Sequence, residues 1–414
     1  MRRAVAIVGV GADGCAGLSA RAVNAVATAG VLAGGARHLA FFPQFAGERI
    51  VLGKDLAAEV ERIAAAADER AVCVLASGDP LFFGIGARLV ERVGAEHVDV
   101  VPHPSAVQWA FARAGIAWDD AALLSVHGRS LAGVAARVRR SRKAAVLTGG
   151  PSGPAALARH LAEHGERGLA AWLCEDLGGA RERVRRFASL EELAAAGEAA
   201  PLNVVLLVRD DPGWRPPPAL PHLAEEALEM RRPKAGLVTK REVRAVALAT
   251  LALRPDAVVW DVGAGSGSVA IEAASLALDG RVYAIERDPT SAAHCRANAR
   301  AHGMDHVVVV EGAAPAALEG LEAPDAVFIG GSGGALAAIA ATALARLRPG
   351  GRLVVAAVTF ETLEAARRAL SEGGAEPEVT LLSVSRGTAI GALQRLDPLT
   401  PVFLVAATRP GELR

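Results

Sequence analysis

The sequence predicts an α/β protein of two domains, the second of which is built on a doubly wound, mostly parallel sheet. Three observations support this prediction: a length of 414 residues, a strand, glycine-rich turn and helix pattern at 258–286, and a proline-rich stretch at 210–222. A chain of this length exceeds one ordinary hydrophobic core. Because the proline run can continue neither a helix nor a sheet, we expect domains at 1–209 and 223–414 joined by a linker at 210–222.

Composition excludes several classes of protein. Hydrophobic residues make up 52% and charged residues 22% of the chain, yet no apolar run reaches the ~18 residues that span a bilayer. The apolar run after the N-terminal Met-Arg-Arg is too short for an export signal. Lys+Arg and Asp+Glu both number 45, so no global field attracts nucleic acid. The 4 cysteines form no C-x-x-C pair, so we expect no metal site, no disulfides and a cytoplasmic protein.

The segment DVGAGSG at 261–267 follows a short apolar strand and precedes an Ala-rich amphipathic stretch. Glycines there allow a sharp turn and close approach of a ligand to the backbone, while the amide groups at the helix start attract polar groups. Glu286 ends the next strand, about twenty residues beyond Gly267, where an acid meets ribose hydroxyls in doubly wound sheets. The pattern therefore predicts a nucleotide-like cofactor with Glu286 as its ribose ligand.

The spacing of the glycines favours one cofactor over another. A dinucleotide fingerprint is G-x-G-x-x-G, but here the third glycine comes one residue early. This spacing resembles motif I of the Rossmann-like S-adenosylmethionine (SAM) methyltransferases. A glycine-rich turn without any ligand and an NAD site are the alternatives.

Two further segments of the second half could contact a substrate. The predicted fourth strand, 325–334, ends in four glycines around Ser332, a backbone nest suited to a carboxylate, although a plain loop is the alternative. Basic residues gather before and within the first helix of this half. Thr239 and Glu242 predict a capping box at its start. The helix start with its basic side chains also predicts an anion-binding mouth. These basic residues are Arg231, Arg232, Lys234, Lys240, Arg241 and Arg244. We also expect the tail after Glu378 to supply two last strands, one antiparallel.

The first half opens with a strand and GVGADG at 9–14, which matches G-x-G-x-x-G. No acid follows between Asp13 and Glu48 to bind a ribose, so a second dinucleotide domain is poorly supported. A buried strand at 71–76 then runs into SGDPLFFG, which by itself could be a helix-capping turn. His103 and His127 invite a catalytic interpretation. Each precedes a turn residue, however, so we favour loop histidines with local partners.

Five motifs of the first half, in order, resemble those of the tetrapyrrole (corrin and sirohaem) methylases, in particular the subfamily that methylates C5 of the corrin ring. They are VGVGADG, AGGARHL at 33–39, SGDPLFFGIG at 77–86, PHPSAVQWAFARAG at 102–115 and SVHGR at 125–129. The resemblance implies two α/β subdomains with SAM in the cleft between them. By motif position it implies SAM contacts at Gly9, Gly11, Ser77, Gly78, Asp79, Phe82, Ser105, Ala106 and Leu147.

The second half resembles the decarboxylating corrin methyltransferases that act at C15, through GLVTKREVR, WDVGAGSGSVAIEAA, VYAIER, EGAAP, FIGGSGG and RPGGRLV. This resemblance implies a Rossmann-like class I methyltransferase fold with a seven-stranded, mostly parallel sheet. It implies SAM contacts at Thr239, Gly263, Ala264, Gly265, Ser266, Gly267, Glu286 and Ala314. The polycarboxylated substrate that it implies would be bound by Lys240, Arg241, Arg244, Gly331, Ser332 and Gly333.

Together the two resemblances imply one chain that methylates a polycarboxylated tetrapyrrole at C5 and C15, decarboxylates it, and holds two SAM molecules. Methyl transfer to a nucleophilic ring carbon needs alignment more than a strong base, so no catalytic acid or base is assigned. The rival hypotheses are a cobalt-bearing substrate, an RNA methyltransferase and a SAM- or tetrapyrrole-sensing protein without turnover. Aromatic residues at 4% and a single Tyr argue against RNA. We expect neither a nucleic-acid nor a membrane partner, and a homo-oligomer is possible on the resemblance of both halves.

Overall fold

Apolar runs alternate with Ala-rich amphipathic segments along the whole chain, and this alternation builds three sheets flanked by helices. The computed structural model of the protein describes residues 4–230 and 239–410. Its residues group into one unit of 1–131, 141–159 and 167–214 and another of 132–140, 160–166 and 215–414. The domain boundaries expected from the sequence stay a prediction.

The first sheet of the first unit is wholly parallel, with strand order β3-β2-β4-β1-β5. Its strands are β1 (Val5–Val10), β2 (Val31–Gly34), β3 (Glu48–Val51), β4 (Val72–Ser77) and β5 (Val98–Val101). The helices of this part of the chain are α1 (Ala20–Ala27), α2 (Ala36–Leu39), α3 (Leu56–Glu69), α4 (Gly86–Val93) and α5 (Ala106–Ala114), with 3₁₀ turns at Gly14–Gly17 and Ala95–His97. Val5, Ile7 and Val74 are fully buried in the core beneath it.

The second sheet of the first unit is mixed, with order β6-β7-β10-β8-β9. The pair β6 and β7 is parallel, whereas β10 runs antiparallel to both β7 and β8. Its strands are β6 (Ala122–Ser125), β7 (Lys143–Thr148), β8 (Leu169–Glu175), β9 (Arg183–Phe187) and β10 (Asn203–Arg209). Helices α6 (Val134–Arg139), α7 (Pro154–Glu163) and α8 (Leu190–Ala194) lie between these strands in the sequence.

Side-chain caps explain where several helices begin. Ser19 accepts a hydrogen bond from the Ala22 amide at the start of α1, and Asp55 does the same for Ala58 in α3. Helix α5 begins with a reciprocal capping box: the Ser105 hydroxyl accepts from the Gln108 amide, and the Gln108 side chain accepts from the Ser105 amide at 2.8 Å. Such caps satisfy amides that have no partner inside the helix, and this one fixes Ser105 next to the end of β5.

The second unit contains the seven-stranded sheet, in the order β13-β12-β11-β14-β15-β19-β16. The strands are β11 (Val258–Val262), β12 (Arg281–Glu286), β13 (Val307–Glu311), β14 (Ala326–Ile329), β15 (Arg352–Ala357), β16 (Glu378–Leu382) and β19 (Val402–Thr408), with a separate hairpin of β17 (Ser385–Ile390) and β18 (Leu393–Pro398). The helices are α9 (Arg241–Leu251), α10 (Ser268–Leu276), α11 (Pro289–Ala301), α12 (Leu336–Arg346) and α13 (Phe360–Glu372), with 3₁₀ turns at Glu225–Ala227 and Ala316–Leu318.

The sheet of the second unit is mostly parallel, as predicted, because only β19 runs against its neighbours. Both faces are covered by helices, with apolar cores on each side. The α/β fold class, the two sheets of the first half and the seven-stranded sheet of the second are thereby confirmed. The hairpin β17–β18 was not predicted. Within the described ranges, no helix has the length and apolar character needed to cross a bilayer.

The capping box predicted for the first helix of the second half is wrong. Helix α9 starts one residue later, after Lys240, whose side chain makes no cap bond. The carboxylate of Glu225 accepts the hydrogen bond of the Arg241 amide instead, at 2.8 Å. A buried acid from the preceding segment therefore occupies the helix start that we expected to bind a substrate anion.

One arginine holds two carboxylates at this helix start. Arg386 on β17 lies with Nη1 2.9 Å from Oε2 of Glu225 and with Nη2 2.6 Å from Oε2 of Glu242. Burial raises the pKa of Glu225, but the hydrogen bonds from Arg386 and the Arg241 amide outweigh it and lower that pKa to about 2. The Arg386 hydrogen bond lowers the pKa of Glu242 to about 2 as well. The three side chains form an internal ion cluster that ties the hairpin to α9.

We expect Arg386→Met to destabilise the second unit by about 2 kcal/mol at pH 7, because two charge-assisted pairs are lost and two carboxylates remain. Both folded-state pKa values lie below the ordinary 4.5, so this stabilisation is complete above that value and is lost as the pH falls toward 2. Hydrogen exchange in urea, followed on peptides of α9, measures the difference in the free energy of unfolding between wild type and variant. Arg395→Met is the control, because among the described residues Arg395 forms its ion pair with Asp397 on the exposed hairpin, and such exposed pairs contribute little. Equal destabilisation by both variants would contradict the role of the cluster.

Candidate functional site

The second unit contains a cavity of about 520 Å³ at the carboxyl ends of β11, β12 and β14. This edge is where doubly wound sheets bind their ligands. Of the predicted residues, the following line it: Gly263, Gly265, Ser266, Glu286, Ala314, Gly331, Ser332 and Gly333. Thr239, Ala264 and Gly267 do not line it.

The glycine-rich turn is shaped by close approach of backbone. Gly263 has φ +74°, and a Cβ there would lie 2.4 Å from the carbonyl oxygen of Gly331. At Gly267, with φ +80°, a Cβ would lie 2.4 Å from Sγ of Cys295. A side chain at either position would therefore force the turn away from the next loop or from α11. The turn is a cradle in which only glycine fits.

Glu286 ends β12 with its carboxylate held toward this turn. Oε2 accepts the amide hydrogen of Gly265 and Oε1 that of Asp288, each at 2.8 Å. The residue is only 9% exposed, yet it lines the cavity. A carboxylate oxygen accepts more than one hydrogen bond, so Glu286 keeps acceptor capacity for a pair of hydroxyls.

Asp261, at the end of β11, lies behind the turn and is 1% exposed. Burial raises its pKa to about 7, the hydrogen bond from the Ala270 amide opposes this rise, and the charge of Glu286 adds to it. Burial and the charge of Glu286 therefore both favour the neutral form of Asp261. A ligand with a positive charge would favour the ionised form of Asp261.

The loop after β14 lies opposite the turn and meets an arginine. Gly333 has φ +56°, and a Cβ there would lie 2.4 Å from Nη1 of Arg287, which also lines the cavity. The guanidinium of Arg287 thus lies against the Gly-Ser-Gly loop. Arg287 is not among the site residues predicted from the sequence, although it lies inside the segment VYAIER.

The predicted basic mouth does not form part of this cavity. Lys240, Arg241 and Arg244 are absent from its wall. The Arg244 side chain is fully buried and donates to the Thr239 carbonyl at 2.6 Å and to Glu272 at 3.0 Å. Its expected role in substrate binding is therefore corrected to an internal one, because its guanidinium already has buried partners. Arg231, Arg232 and Lys234 lie outside the described residues.

The first unit contains a second cavity, of about 400 Å³. It lies where the ends of β1, β4 and β7 meet α5, so residues from both sheets of this unit line it. The predicted residues on its wall are Gly11, Ser77, Gly78, Asp79, Phe82, Ser105, Ala106 and Leu147. Residues predicted from separate motifs are therefore brought together around one space.

Gly9, by contrast, lies behind the wall of this cavity. A Cβ on Gly9 would lie 2.0 Å from the Gly78 carbonyl oxygen and 2.6 Å from the His103 nitrogen. Gly9 thus allows the end of β1 to pack against the loops after β4 and β5. Gly78 itself has φ +57° and donates its amide hydrogen to the Val10 carbonyl at 3.1 Å.

The two loop histidines have local partners, as interpreted from the sequence. Nδ1 of the buried His103 lies 3.1 Å from the Pro104 carbonyl oxygen, and Nε2 lies 3.5 Å from Asp13. Nδ1 of His127 lies 3.4 Å from the Thr148 carbonyl oxygen. His127 also lines the cavity.

Arg37 and His38 line the cavity as well, although they are not among the site residues predicted from the sequence. Both stand inside the motif AGGARHL, which carried part of the resemblance. Their place directly after β2 could have been used as the signal, because ligand-binding residues follow the carboxyl ends of parallel strands. Among the residues that the structure describes, no group of His, Cys, Asp and Glu could hold a metal ion.

Comparison with known proteins divides the chain in the same way as the motifs. Residues 4–194 match the model of the tetrapyrrole (corrin/porphyrin) methylases, and 233–409 match that of the precorrin methyltransferase domain.

Full-length and half-length relatives both occur. A precorrin-6Y C(5,15)-methyltransferase (decarboxylating) of Sinorhizobium is 37% identical over 400 residues, 96% of this chain and 94% of the relative. The cobalt-precorrin-7 C(5)-methyltransferase of Salmonella typhimurium is 43% identical over 178 residues, 43% of this chain and 87% of the relative. The cobalt-precorrin-6B C(15)-methyltransferase (decarboxylating) of the same species is 39% identical over 173 residues, 42% of this chain and 89% of the relative.

Proposed function

The chain belongs to the family of precorrin-6Y C(5,15)-methyltransferases (decarboxylating), and from this premise we propose that each of its two cavities binds one SAM beside the tetrapyrrole. The predicted activity, methylation of a precorrin at C5 and C15 with decarboxylation in cobalamin biosynthesis, is that of the family. The finer assignment is that the first unit methylates C5, while the second methylates C15 and removes the ring C acetate as CO2, giving precorrin-8.

The observation that carries the proposal is the cradle of the second unit. Its turn excludes a Cβ at Gly263 and Gly267, and the carboxylate of Glu286 lies at its edge with acceptor capacity left. This arrangement fits a nucleoside, with Glu286 on the ribose hydroxyls and Ala314 near the adenine. The buried acid Asp261 behind the turn favours a cationic ligand over a neutral one.

In the first unit the support is the convergence of separate motifs. Gly11, Ser77 and Ser105 come from the ends of β1, β4 and β5 and line one cavity. Gly78 with φ +57° turns the chain there, so that backbone groups face the space. We propose that SAM is held by these loops.

Bound SAM supplies an electrophilic methyl group. The role of the protein is to hold the sulfur, the methyl group and the acceptor carbon in line. Such alignment can lower the activation free energy by up to ~7–11 kcal/mol. In each cavity the glycine-rich loops orient the nucleoside of SAM, and the remaining walls orient the macrocycle. A strong base is unnecessary, because the reduced ring presents an enamine-like carbon.

Decarboxylation needs an electron sink and a desolvated carboxylate. The imine of the ring can accept the electron pair of the broken C–C bond when CO2 leaves, and the remaining CH2 carbon then takes up one proton from water to become a methyl group. We propose that the loop of Gly331, Ser332 and Gly333, together with Arg287, orients the carboxylates of the substrate on this side of the cavity. The carboxylate that leaves must lose its water without being paired too tightly, so Arg287 would bind a neighbouring carboxylate that stays.

A cobalt-bearing substrate is the second candidate. The half-length relatives of both units carry names of cobalt-precorrin enzymes, whereas the full-length relatives are named for precorrin-6Y. We propose the metal-free substrate, because the fused arrangement is shared with the full-length relatives.

Incubation of the purified chain with SAM and either the metal-free or the cobalt-bearing precorrin tests this function. We expect product from the metal-free substrate with a mass change of two added methyl groups and one lost CO2. Binding without any change in mass would show a sensing protein and contradict the proposal. Turnover of the cobalt compound alone would establish the second candidate.

Arg287→Met should raise the KM for the precorrin in C15 transfer about tenfold or more, because a charged hydrogen bond to a carboxylate is lost. Transfer to C5 should be unchanged. The matched control is Arg296→Met. Arg296 lies in α11, pairs with Glu311 and does not line the cavity. An unchanged KM in Arg287→Met would remove Arg287 from the substrate site.

We also propose a homo-oligomer, which the comparisons leave open. The edge strand β16 and the hairpin expose the apolar side chains of Leu381, Leu393 and Leu396, and unpaired edges invite a further strand. Light scattering of the purified chain should give a mass above that of one chain; a monomeric mass contradicts this part.

A further inference from the structure

The cavity of the first unit has an arginine on its wall whose hydrogen-bond partners are uncharged. Nη2 of Arg37 donates to Nε2 of His38 at 3.0 Å and to the hydroxyl of Ser77 at 3.2 Å. The same hydroxyl lies 3.2 Å from Nε2 of His38. The three side chains form one cluster at the carboxyl ends of β2 and β4.

The cluster contains one positive charge and no negative one. Arginine only donates, so Nε2 of His38 is the acceptor and its ring proton lies on Nδ1. Burial, and next the charge of Arg37, lower the pKa of His38 to about 4, so the imidazole is neutral at pH 7. Ser77 is neutral as well. His38 and Ser77 therefore fix the direction of the guanidinium without compensating its charge.

No carboxylate pairs with Arg37 in the parts of the chain at 4–230 and 239–410. The acid that acts on it from a distance, Asp176, has its own partner in Arg181, 3.6 Å away. Burial lowers the pKa of Arg37, and Asp176 offsets this only in part. Asp79, on the same cavity wall, uses Oδ1 to accept the amide hydrogen of Leu81. Arg37 is exposed, and its guanidinium lies on the cavity wall without an ion pair to a described residue.

The free donors of Arg37 match a planar anion. Only Nη2 is bonded to described residues, so Nε and Nη1 keep their hydrogens for a ligand. A guanidinium edge with two parallel N–H groups binds a carboxylate through two hydrogen bonds. Because Arg37 is exposed and lies on the cavity wall, these donors are accessible to a ligand in the cavity.

We infer that Arg37 is a carboxylate anchor in the cavity of the first unit. This inference rests on the proposed function, which brings two sources of that chemistry to the cavity: the acetate and propionate groups of the tetrapyrrole and the amino-acid carboxylate of SAM. His38 and Ser77 are positioning residues, because they hold the guanidinium and act through it.

The test compares the full chain with Arg37→Met and Arg37→Lys. Transfer to C5 is followed by NMR with SAM labelled in its methyl group, since the two new methyl groups have separate resonances. Binding of S-adenosylhomocysteine is measured by calorimetry. Arg88→Met is the matched control, because Arg88 is exposed on α4 and does not line the cavity.

In Arg37→Met we expect the KM for the precorrin in C5 transfer to rise ten- to a hundredfold, about the effect of one charged hydrogen bond, with kcat little changed. That result, with unchanged S-adenosylhomocysteine binding, assigns the anchor to the tetrapyrrole. Binding of S-adenosylhomocysteine weakened by the same factor, with an unchanged precorrin KM, assigns it to SAM. Arg37→Lys should recover part of the loss, because it keeps the charge but not the paired donors.

A second measurement compares two ligands within each protein, so that a change in the fraction of folded variant cancels in the ratio. Wild-type protein should bind the precorrin at least about tenfold more tightly than the same compound with its carboxylates esterified, and Arg37→Met should reduce this preference. Wild-type transfer to C5 tests the proposed function, and the ratio between wild type and variant tests the anchor. Suppose that the wild type transfers a methyl group to C5 and that Arg37→Met equals Arg88→Met in KM, kcat and S-adenosylhomocysteine binding. This result would overturn the inference about Arg37 and leave the proposed function intact.

Discussion

Gly265→Arg is expected to abolish methylation at C15, with a loss of about a hundredfold or more, while methylation at C5 stays within about twofold. Gly265 lines the cavity of the second unit, has φ +56°, and donates its amide hydrogen to Glu286. An arginine there would fill the space of the nucleoside and strain a left-handed backbone that other residues rarely adopt. Separate NMR signals of the two labelled methyl groups measure both transfers in one sample.

Gly320→Arg is the control for this variant. Gly320 also has a positive φ, +74°, but an added Cβ would meet nothing within 4 Å, and the residue does not line the cavity. It therefore carries the same backbone strain without entering the site. Equal loss of both methylations in Gly265→Arg would contradict two independent sites.

Gly78→Val should produce the opposite pattern, with C5 transfer reduced about a hundredfold or more and C15 transfer retained. Gly78 has φ +57°, and a Cβ there would lie 3.0 Å from Cα of Ser105. A branched side chain at positive φ is strongly disfavoured, and it would push the loop after β4 away from the start of α5. Both loops carry residues of the cavity wall.

Gly168→Val tests whether strain alone explains that loss. Gly168 has φ +65°, and an added Cβ would meet nothing within 4 Å. Because it lies in the turn before β8, outside the cavity wall, C5 transfer should remain near that of the wild type. A similar loss in both variants would mean that folding, and not the site, is affected.

Much of the fold could be predicted from the sequence, because it depends on local patterns. The turn at 261–267 and the acid at Glu286 follow from glycine geometry and strand length, and Glu286 lines one cavity together with part of the turn. The motifs of the first half likewise lie around one space. The family resemblance of both halves is confirmed by the full-length relatives.

The parts that failed depend on partners far away in the sequence. The pattern around Thr239 and Glu242 fits a capping box, but Glu225 occupies the helix start and Arg386, far along the chain, takes Glu242. Arg244 was selected for its charge, whereas its buried partner Glu272 lies on another helix. Charge can be read from a sequence, but whether it is compensated depends on tertiary contacts.

The same reason explains the residues that were missed. Arg37 and Arg287 lie inside quoted motifs, close to the end of a strand, but that position alone does not separate an arginine on a cavity wall from one in solvent. The neutral partners of Arg37 and the glycine loop against Arg287 become visible only once strands distant in sequence are side by side.

The central claim is that one chain holds two separate sites for a methyl donor. Calorimetric titration of the intact chain with S-adenosylhomocysteine measures this directly. We expect two molecules bound per wild-type chain, and one in each of Gly78→Val and Gly265→Arg. One molecule per wild-type chain, lost altogether in one variant and unchanged in the other, would contradict the claim.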